Sequence, residues 1–578
     1  MTSTQGGSRK IISAVIGLAP IIHTLRTYRR DSLAPDLSAG LIVGIITIPQ
    51  AVAYAMLAGM PPEAGLYACL VPLLLYAVFG TSPHLMVGPV AMTALLVASA
   101  IGTFSGPGET PASIAGVLCI EAGAMLWLMR AARMSGLVNL LSHPVMSGFV
   151  SAAAVLIILS QLQPLIGSPL GISRPSDLLD LLDMLTHANG SAVLIGISSL
   201  AFLISLQRLG PAFLRRFGLG LTAGQWLART GPLAVTIVGT VCVTIFDLHR
   251  SAGVAVVGDV PAGLPDFALP SLNPELWRGL LPSSALIAII AYVESYSIAT
   301  ALAARKGSRI EAAQELIALG AANIGAGLTG AYPVAGSFSR SGVAFQSDAR
   351  TTVSGLFCAA VIMLALAFLT PWIADVPMAA LAAIIIFSVF GIIDLKGIRQ
   401  HWRGHRADSL TQLVTFSAVV AVSVEAGLVT GIALSIAFFL RQSSRARMTV
   451  VGRVEGTGQV RDVDRYDIAP STRVLALRID EDVFFANAGP IEALVLERLS
   501  RQPSYRHLLL VGSSINRIDT TGAEMIARLS RNLAVAGVKV HLSDIKGTVL
   551  QQLESAGVTH ELTGQIFFSA EQGLHALA

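Results

Sequence analysis

Glu294 and Arg340 stand out because each is a charged side chain inside an otherwise apolar run. Glu294 lies in SALIAIIAYVESYSIATALAARKG, residues 284–307, eleven residues ahead of Arg305. At ~1.5 Å per helical residue it is roughly 16 Å from that run's charged end. Charge in such surroundings is costly and marks ion or proton pathways. A carboxyl there can take up and release a proton, with a structural ion pair as its plainer use. Arg340 sits in Gly336-Ser337-Phe338-Ser339-Arg340-Ser341-Gly342. A guanidinium fork, the hydroxyls of Ser337, Ser339 and Ser341 and the free amides of a helix start together suit an oxyanion. Thr47, Gln50 and Tyr54 share one run, where Gln50 and Tyr54 fall one helical turn apart and can face one cavity. Glu121, nine residues before Arg130, can pair locally; Glu425 at a short turn and Asp247 near a run end are weaker candidates. Cys69, Cys119, Cys242 and Cys358 are far apart with no CxxC spacing, so neither a zinc site nor a redox motif is expected.

The elements that carry these residues follow from composition. The 578 residues are 53% hydrophobic and only 13% charged, against roughly 25% charged in a soluble domain. This is mainly a membrane protein, and the net charge of +4 is too small to suggest nucleic-acid binding. Residues 1–448 hold 26 Lys+Arg and 20 Asp+Glu, and residues 449–578 hold 13 and 15, so a membrane body carries a tail of soluble composition. The expected organisation is an N-terminal segment at 1–38, a membrane domain at 39–447 and a soluble domain at 448–578.

Fourteen apolar segments run from 39–60 to 427–441. The third, 89–103, and the tenth, 336–347, are too short or too Gly/Pro-broken to span ~30 Å alone. Both follow similar phrases, Gly88-Pro89-Val90-Ala91 and Tyr332-Pro333-Val334-Ala335-Gly336. Paired interruptions in two halves point to a midplane substrate site. With an even number of spans, twenty-two Lys/Arg fall on one side and three on the other, which places both termini inside. Residues 11–22 lack a small-residue cleavage site and read as an interfacial helix rather than a signal peptide.

The stretch DLSAGLIVGIITIPQAVAYAMLAGMPPEAGLYACLVPLLLYAVFGTSPHLMVGPVAMTALL (36–96) resembles the amino-terminal signature of the SulP anion permeases, the solute carrier 26 family. AYVESYSIATALAARKG (291–307) and YPVAGSFSRSGVAFQSDARTTVSGL (332–356) resemble its proton-coupled sulfate transporters. The resemblance implies an α-helical polytopic membrane protein of two inverted seven-span repeats, with core and gate domains and a C-terminal cytoplasmic α/β STAS domain. It implies that Gln50, Tyr54, Ala91, Met92, Ser339 and Arg340 line the anion site, that Glu294 is the proton-coupling acid, and that the protein is a homodimer. Glu294 and Arg340 are expected to share one cavity.

In the tail, 472–480, 483–487, 506–513 and 538–542 read as strands, and 488–501, 521–536 and 545–556 as helices. Ile518-Asp519-Thr520-Thr521-Gly522 resembles the STAS segment whose phosphorylated Ser in anti-sigma-factor antagonists matches Thr521. The run from Thr521 to Glu524 also reads as a capping box.

The resulting expectation is a proton-coupled sulfate symporter of the cell membrane, working by alternating access. It is not an enzyme, has no cofactor or metal, and takes an inorganic anion and a proton as its partners. Bicarbonate or dicarboxylate transport, and an anion exchanger or channel of the same fold, are the alternatives. A receptor with a signalling tail is disfavoured, since neither a Walker motif nor a kinase signature is present.

Overall fold

A computed structural model describes residues 19–106, 108–136, 142–170, 181–216, 221–390, 393, 406–454, 457, 459–466, 468 and 471–578. The expected interfacial helix at 11–22 lies largely outside them; a short helix occupies Pro20–Arg26. The chain divides into two compact units, Met1–Ile432 and Ala433–Ala578.

Fourteen principal helices occupy the apolar region among the described residues. These are α1 (Arg30–Leu57), α2 (Pro62–Phe79, broken after Tyr67), α3 (Ala91–Phe104), α4 (Pro111–Ala131), α5 (His143–Ile166), α6 (Gly190–Arg216) and α7 (Leu221–Ile245) in the first half. The second half has α8 (Pro274–Arg305), α9 (Ala312–Gly327), α10 (Phe338–Gln346), α11 (Val353–Phe368), α12 (Met378–Phe390), α13 (Arg406–Ala421) and α14 (Val424–Ser443). The two short segments are half-helices. The nine residues of α10 reach about 14 Å and the fourteen of α3 about 21 Å, short of the ~30 Å of hydrocarbon.

Packing sorts the helices into two groups. α9 lies against α4 and α2, α4 against α8, and α11 against α1, forming a core. α6 packs on α7 and α12, and α5 on α12 and α13, forming a gate. The core is tight because small residues let backbones approach: a methyl at Gly123 of α4 would lie 2.7 Å from the Gly320 carbonyl of α9.

Buried acids pin the core. Glu315 of α9 accepts from the Tyr76 hydroxyl at 2.8 Å, the Thr81 hydroxyl at 2.6 Å and the Thr81 amide at 3.1 Å. Asp36 of α1 accepts from the Arg350 and Thr351 amides at 2.7 and 3.0 Å and the Thr351 hydroxyl at 2.6 Å. Neither was singled out from the sequence; Glu315 lies inside an apolar run, which was an available signal, whereas Asp36 precedes the first run. Glu121 does not pair with Arg130: its carboxylate accepts from the Ser284 hydroxyl at 2.7 Å, because α4 packs against α8 and turns that face inward. Asp247 has left-handed backbone (φ 44°) ahead of a short helix at Leu248–Ala252 and caps nothing with its side chain. The side chain of Glu425 lies outside the described residues.

The second unit holds a six-stranded sheet: β3 (Met448–Val454), β4 (Gln459–Asp462), β5 (Val474–Ile479), β6 (His507–Val511), β7 (Lys539–Ser543) and β8 (Ile566–Phe567), numbered after the two short strands β1 (Val87–Gly88) and β2 (Ala335–Gly336) of the membrane region. Strand order is β4-β3-β5-β6-β7-β8, with β5 to β8 parallel. Helices α15 (Ala488–Ser500), α16 (Thr520–Val535), α17 (Gly547–Ser555) and α18 (Ala570–Leu577) complete it. Two expectations are corrected. Residues 483–487 form no strand, only a single bridge from Val483 to Ile518. Asn487 bends this segment into a turn by accepting from the Phe484 amide at 2.9 Å and donating to the Asp482 carbonyl at 2.8 Å. The capping box at Thr521 does not form either, because Asp519 takes the N-cap, accepting from the Gly522 amide at 2.8 Å, and α16 starts at Thr520.

His541 gives this unit a pH dependence. It is buried, 3% exposed, and its Nδ1 accepts the Gln565 amide at 3.0 Å. That contact assigns the proton to Nε2, which donates to His507 Nδ1 at 3.1 Å. Burial, then the neighbouring His507 and Lys539, hold His541 down at about 4. Burial likewise lowers His507, helped by Lys539 and Arg473. Because the folded values lie below the unfolded ~6.5, stability is full above that pH and declines as pH falls from ~6.5 toward 4. We expect β6 and β7 amides to lose hydrogen-exchange protection between pH 7 and 5, after correction for intrinsic rates, and His541→Gln to flatten that slope. Protection unchanged across that range would refute this account.

Candidate functional site

The short strands β1 and β2 pair antiparallel, Val87 opposite Gly336 and Gly88 opposite Ala335. Each leads within a few residues into a half-helix, so α3 and α10 depart in opposite directions from adjacent starts. Side chains clamp the crossing. The Ser341 hydroxyl accepts from the Met86 amide at 3.0 Å, and the Ser337 amide donates to the Met86 carbonyl at 3.1 Å. The Ser295 hydroxyl accepts from the Gly336 amide at 2.7 Å, which fixes α8 one residue beyond Glu294. Asn323 of α9 holds Val334 through its amide at 2.9 Å and carbonyl at 3.1 Å.

No side chain caps α3 or α10. Two helix starts, each carrying about half a positive charge and several uncommitted amides, therefore converge. Beside them lies a cavity of about 1030 Å³ between core and gate. Gln50 and Tyr54 of α1, Ala91 and Met92 of α3, Glu294 of α8, and Ser337 and Ser339 of α10 line its core side. The gate contributes Ile158, Leu200, Ile204, Phe387 and Ser388. One Glu294 carboxylate oxygen, Oε2, is buried with no hydrogen-bond partner.

Of the seven residues singled out as site candidates, six line this cavity and Arg340 does not. Arg340 is buried, 3% exposed, against Gly88 of β1. Its Nη2 donates to the Pro89 carbonyl at 2.7 Å, and its Nη1 would lie 2.9 Å from a methyl placed on Gly88. Along α10, Ser339 and Arg340 are about 100° apart: Ser339 lines the cavity, and Arg340 turns to the Pro89 carbonyl in the loop after β1. Ser341 is likewise spent on the Met86 amide. Thr47 donates to the Val43 carbonyl at 2.6 Å within its own helix. The gate residues, Phe338, and the arginines at positions 208 and 305 that also line the cavity were missed by sequence reasoning. Apart from Phe338, an apolar residue inside the 336–342 motif, they lie on ordinary apolar or run-end positions with no local motif.

A core and a gate of seven-helix repeats, with crossed half-helix starts between them, define the class as a membrane transporter of the solute carrier 26 fold. A solved structure of SLC26A9 superposes with TM-score 0.88 over 99% of this chain and 94% of its own, at 22% identity. The transmembrane domain of a cyanobacterium bicarbonate transporter, BicA, gives 0.59 over 70% of this chain and 98% of its own, at 21% identity. The Sulfate permease family model matches residues 33–415, and the STAS domain model matches 466–572. Probable sulfate transporter 4.2 of Arabidopsis thaliana is 34% identical over 95% of this chain and 81% of its own length. A probable sulfate transporter of Mycobacterium tuberculosis is 31% identical over 94% of this chain and 95% of its own length. The chain belongs to the sulfate permease family and carries a C-terminal STAS domain.

Proposed function

We propose that this protein is a proton-coupled sulfate symporter that works by alternating access. The observation that carries the reading is the convergence of two uncapped helix starts on a cavity lined by Glu294, whose Oε2 is buried without a hydrogen-bond partner. Amides at Ala91, Met92 and Ser339 and the hydroxyls of Ser339 and Tyr54 hold the anion, and Gln50 orients it. The Arg340 charge acts from beside the crossing, where it also fixes the Pro89 carbonyl. Glu294 carries the proton. Rocking of core against gate exposes the site to each side in turn. The protein works as a homodimer in the cell membrane, with both termini inside as the arginine and lysine distribution favours. The names of the Arabidopsis and mycobacterial relatives support sulfate over other anions.

Uptake of labelled sulfate into proteoliposomes tests this. An inward proton gradient should drive accumulation above the equilibrium level, and excess bicarbonate or succinate should compete weakly. Equilibration without accumulation would indicate an exchanger or channel, and stronger competition by bicarbonate would reassign the substrate.

A further inference from the structure

The cavity does not end at the crossing. Along α8 its lining runs from Glu294 through Leu302 to Arg305, and along α6 through Leu200, Ile204 and Arg208. The spacing of eight and eleven residues on α8, and of four and eight on α6, is that of one helical face. At ~1.5 Å per residue, Arg305 stands roughly 16 Å along the helix axis from Glu294. The cavity is thus a path with an acid and two helix starts at its inner part and a guanidinium on each wall further out, one from the core and one from the gate. Both arginines are exposed, and neither has an ion-pair partner among the described residues.

We infer that Arg208 and Arg305 form an electrostatic funnel that concentrates divalent oxyanions at the mouth of the substrate path and so sets selectivity for dianions. The inference rests on the transport reading above. Two positive charges without ion-pair partners at a cleft mouth raise the local concentration of the opposite ion there. That enrichment is exponential in the ion's charge, so the factor for a dianion is the square of the factor for a monoanion. Because neither arginine reaches the crossing, the funnel governs approach and release rather than the turnover of a filled site.

Sulfate exchange by the full-length protein in proteoliposomes decides it, measured at about 20 mM and about 200 mM ionic strength. In the Arg208→Gln/Arg305→Gln double variant, kcat/KM at low salt should fall roughly 10-fold through a raised KM, with kcat held. The gap should close to about twofold at high salt, where the Debye length is several-fold shorter. The single variants should each show part of the effect. Lysine at both positions should restore the low-salt advantage, since the funnel needs charge rather than the guanidinium fork. Glutamine variants with wild-type KM and salt dependence, or lysine variants as impaired as the glutamine ones, would overturn the inference. Exchange that is absent in the unaltered protein would instead overturn the transport reading, and the funnel with it.

Discussion

Arg340→Ala is expected to weaken sulfate binding by roughly 30-fold or more, read by calorimetry on detergent-purified protein. Truncating one partner of a buried, hydrogen-bonded charged group costs about 2–5 kcal/mol, and ~1.4 kcal/mol is tenfold in affinity. Two things are lost together. The positive potential behind the helix starts disappears, and the Pro89 carbonyl, which now accepts from Nη2 at 2.7 Å, is left buried without that donor. Because Arg340 holds the crossing rather than lining the cavity, the variant should also unfold at a lower temperature. Arg340→Lys should recover part of the affinity, since an ammonium keeps the charge but cannot reproduce the planar fork. Gly88→Ala provides an independent check: its methyl would come within 2.9 Å of Nη1, so it should weaken binding while leaving Arg340 in place. Wild-type affinity in both variants would remove Arg340 from anion recognition.

Glu294→Gln should abolish proton-driven accumulation of sulfate while leaving sulfate exchange in place. The glutamine imitates a protonated carboxyl but has no proton to release, so the site can load anion and return without coupling. In the unaltered protein an ionised Glu294 places a negative charge in the cavity that receives the anion, and it also offsets the Arg340 charge across the crossing. Protonation removes both effects, so proton and sulfate favour each other. By linkage the two enhancements are equal, and typical couplings of ~1–3 kcal/mol correspond to roughly 5–150-fold in affinity. The variant should therefore bind sulfate at least as tightly as wild type and show a flatter pH dependence. A Glu294→Gln protein that still concentrates sulfate against its gradient when the outside is acidified would refute the assignment.

The sequence by itself determined the quantities that are local along the chain. Runs of apolar residues located the fourteen principal helices described in the apolar region, and Gly/Pro breaks before 89–103 and 336–347 marked the two short ones, because hydropathy and backbone punctuation act within one turn or one span. The cost of burying charge singled out Glu294 and Arg340 without any structure. In the tail, β5, β6, β7 and the helices after them were legible from period alone, whereas the two-residue β8 and the antiparallel β3–β4 pair were not. What only the tertiary structure decided concerns partners distant in sequence. Pairing of Val87 with Gly336 leaves no local pattern, yet it is what brings two helix starts together. The rotation of α10 that sends Ser339 into the cavity and Arg340 to the Pro89 carbonyl depends on clamps from Met86 and Ser295, contributed by other elements. The same holds for Glu121 with Ser284, Glu315 with Tyr76, and Asp36 with Thr351. A buried carboxylate must find donors, and which donors it meets is set by how the helices pack rather than by its neighbours in the chain.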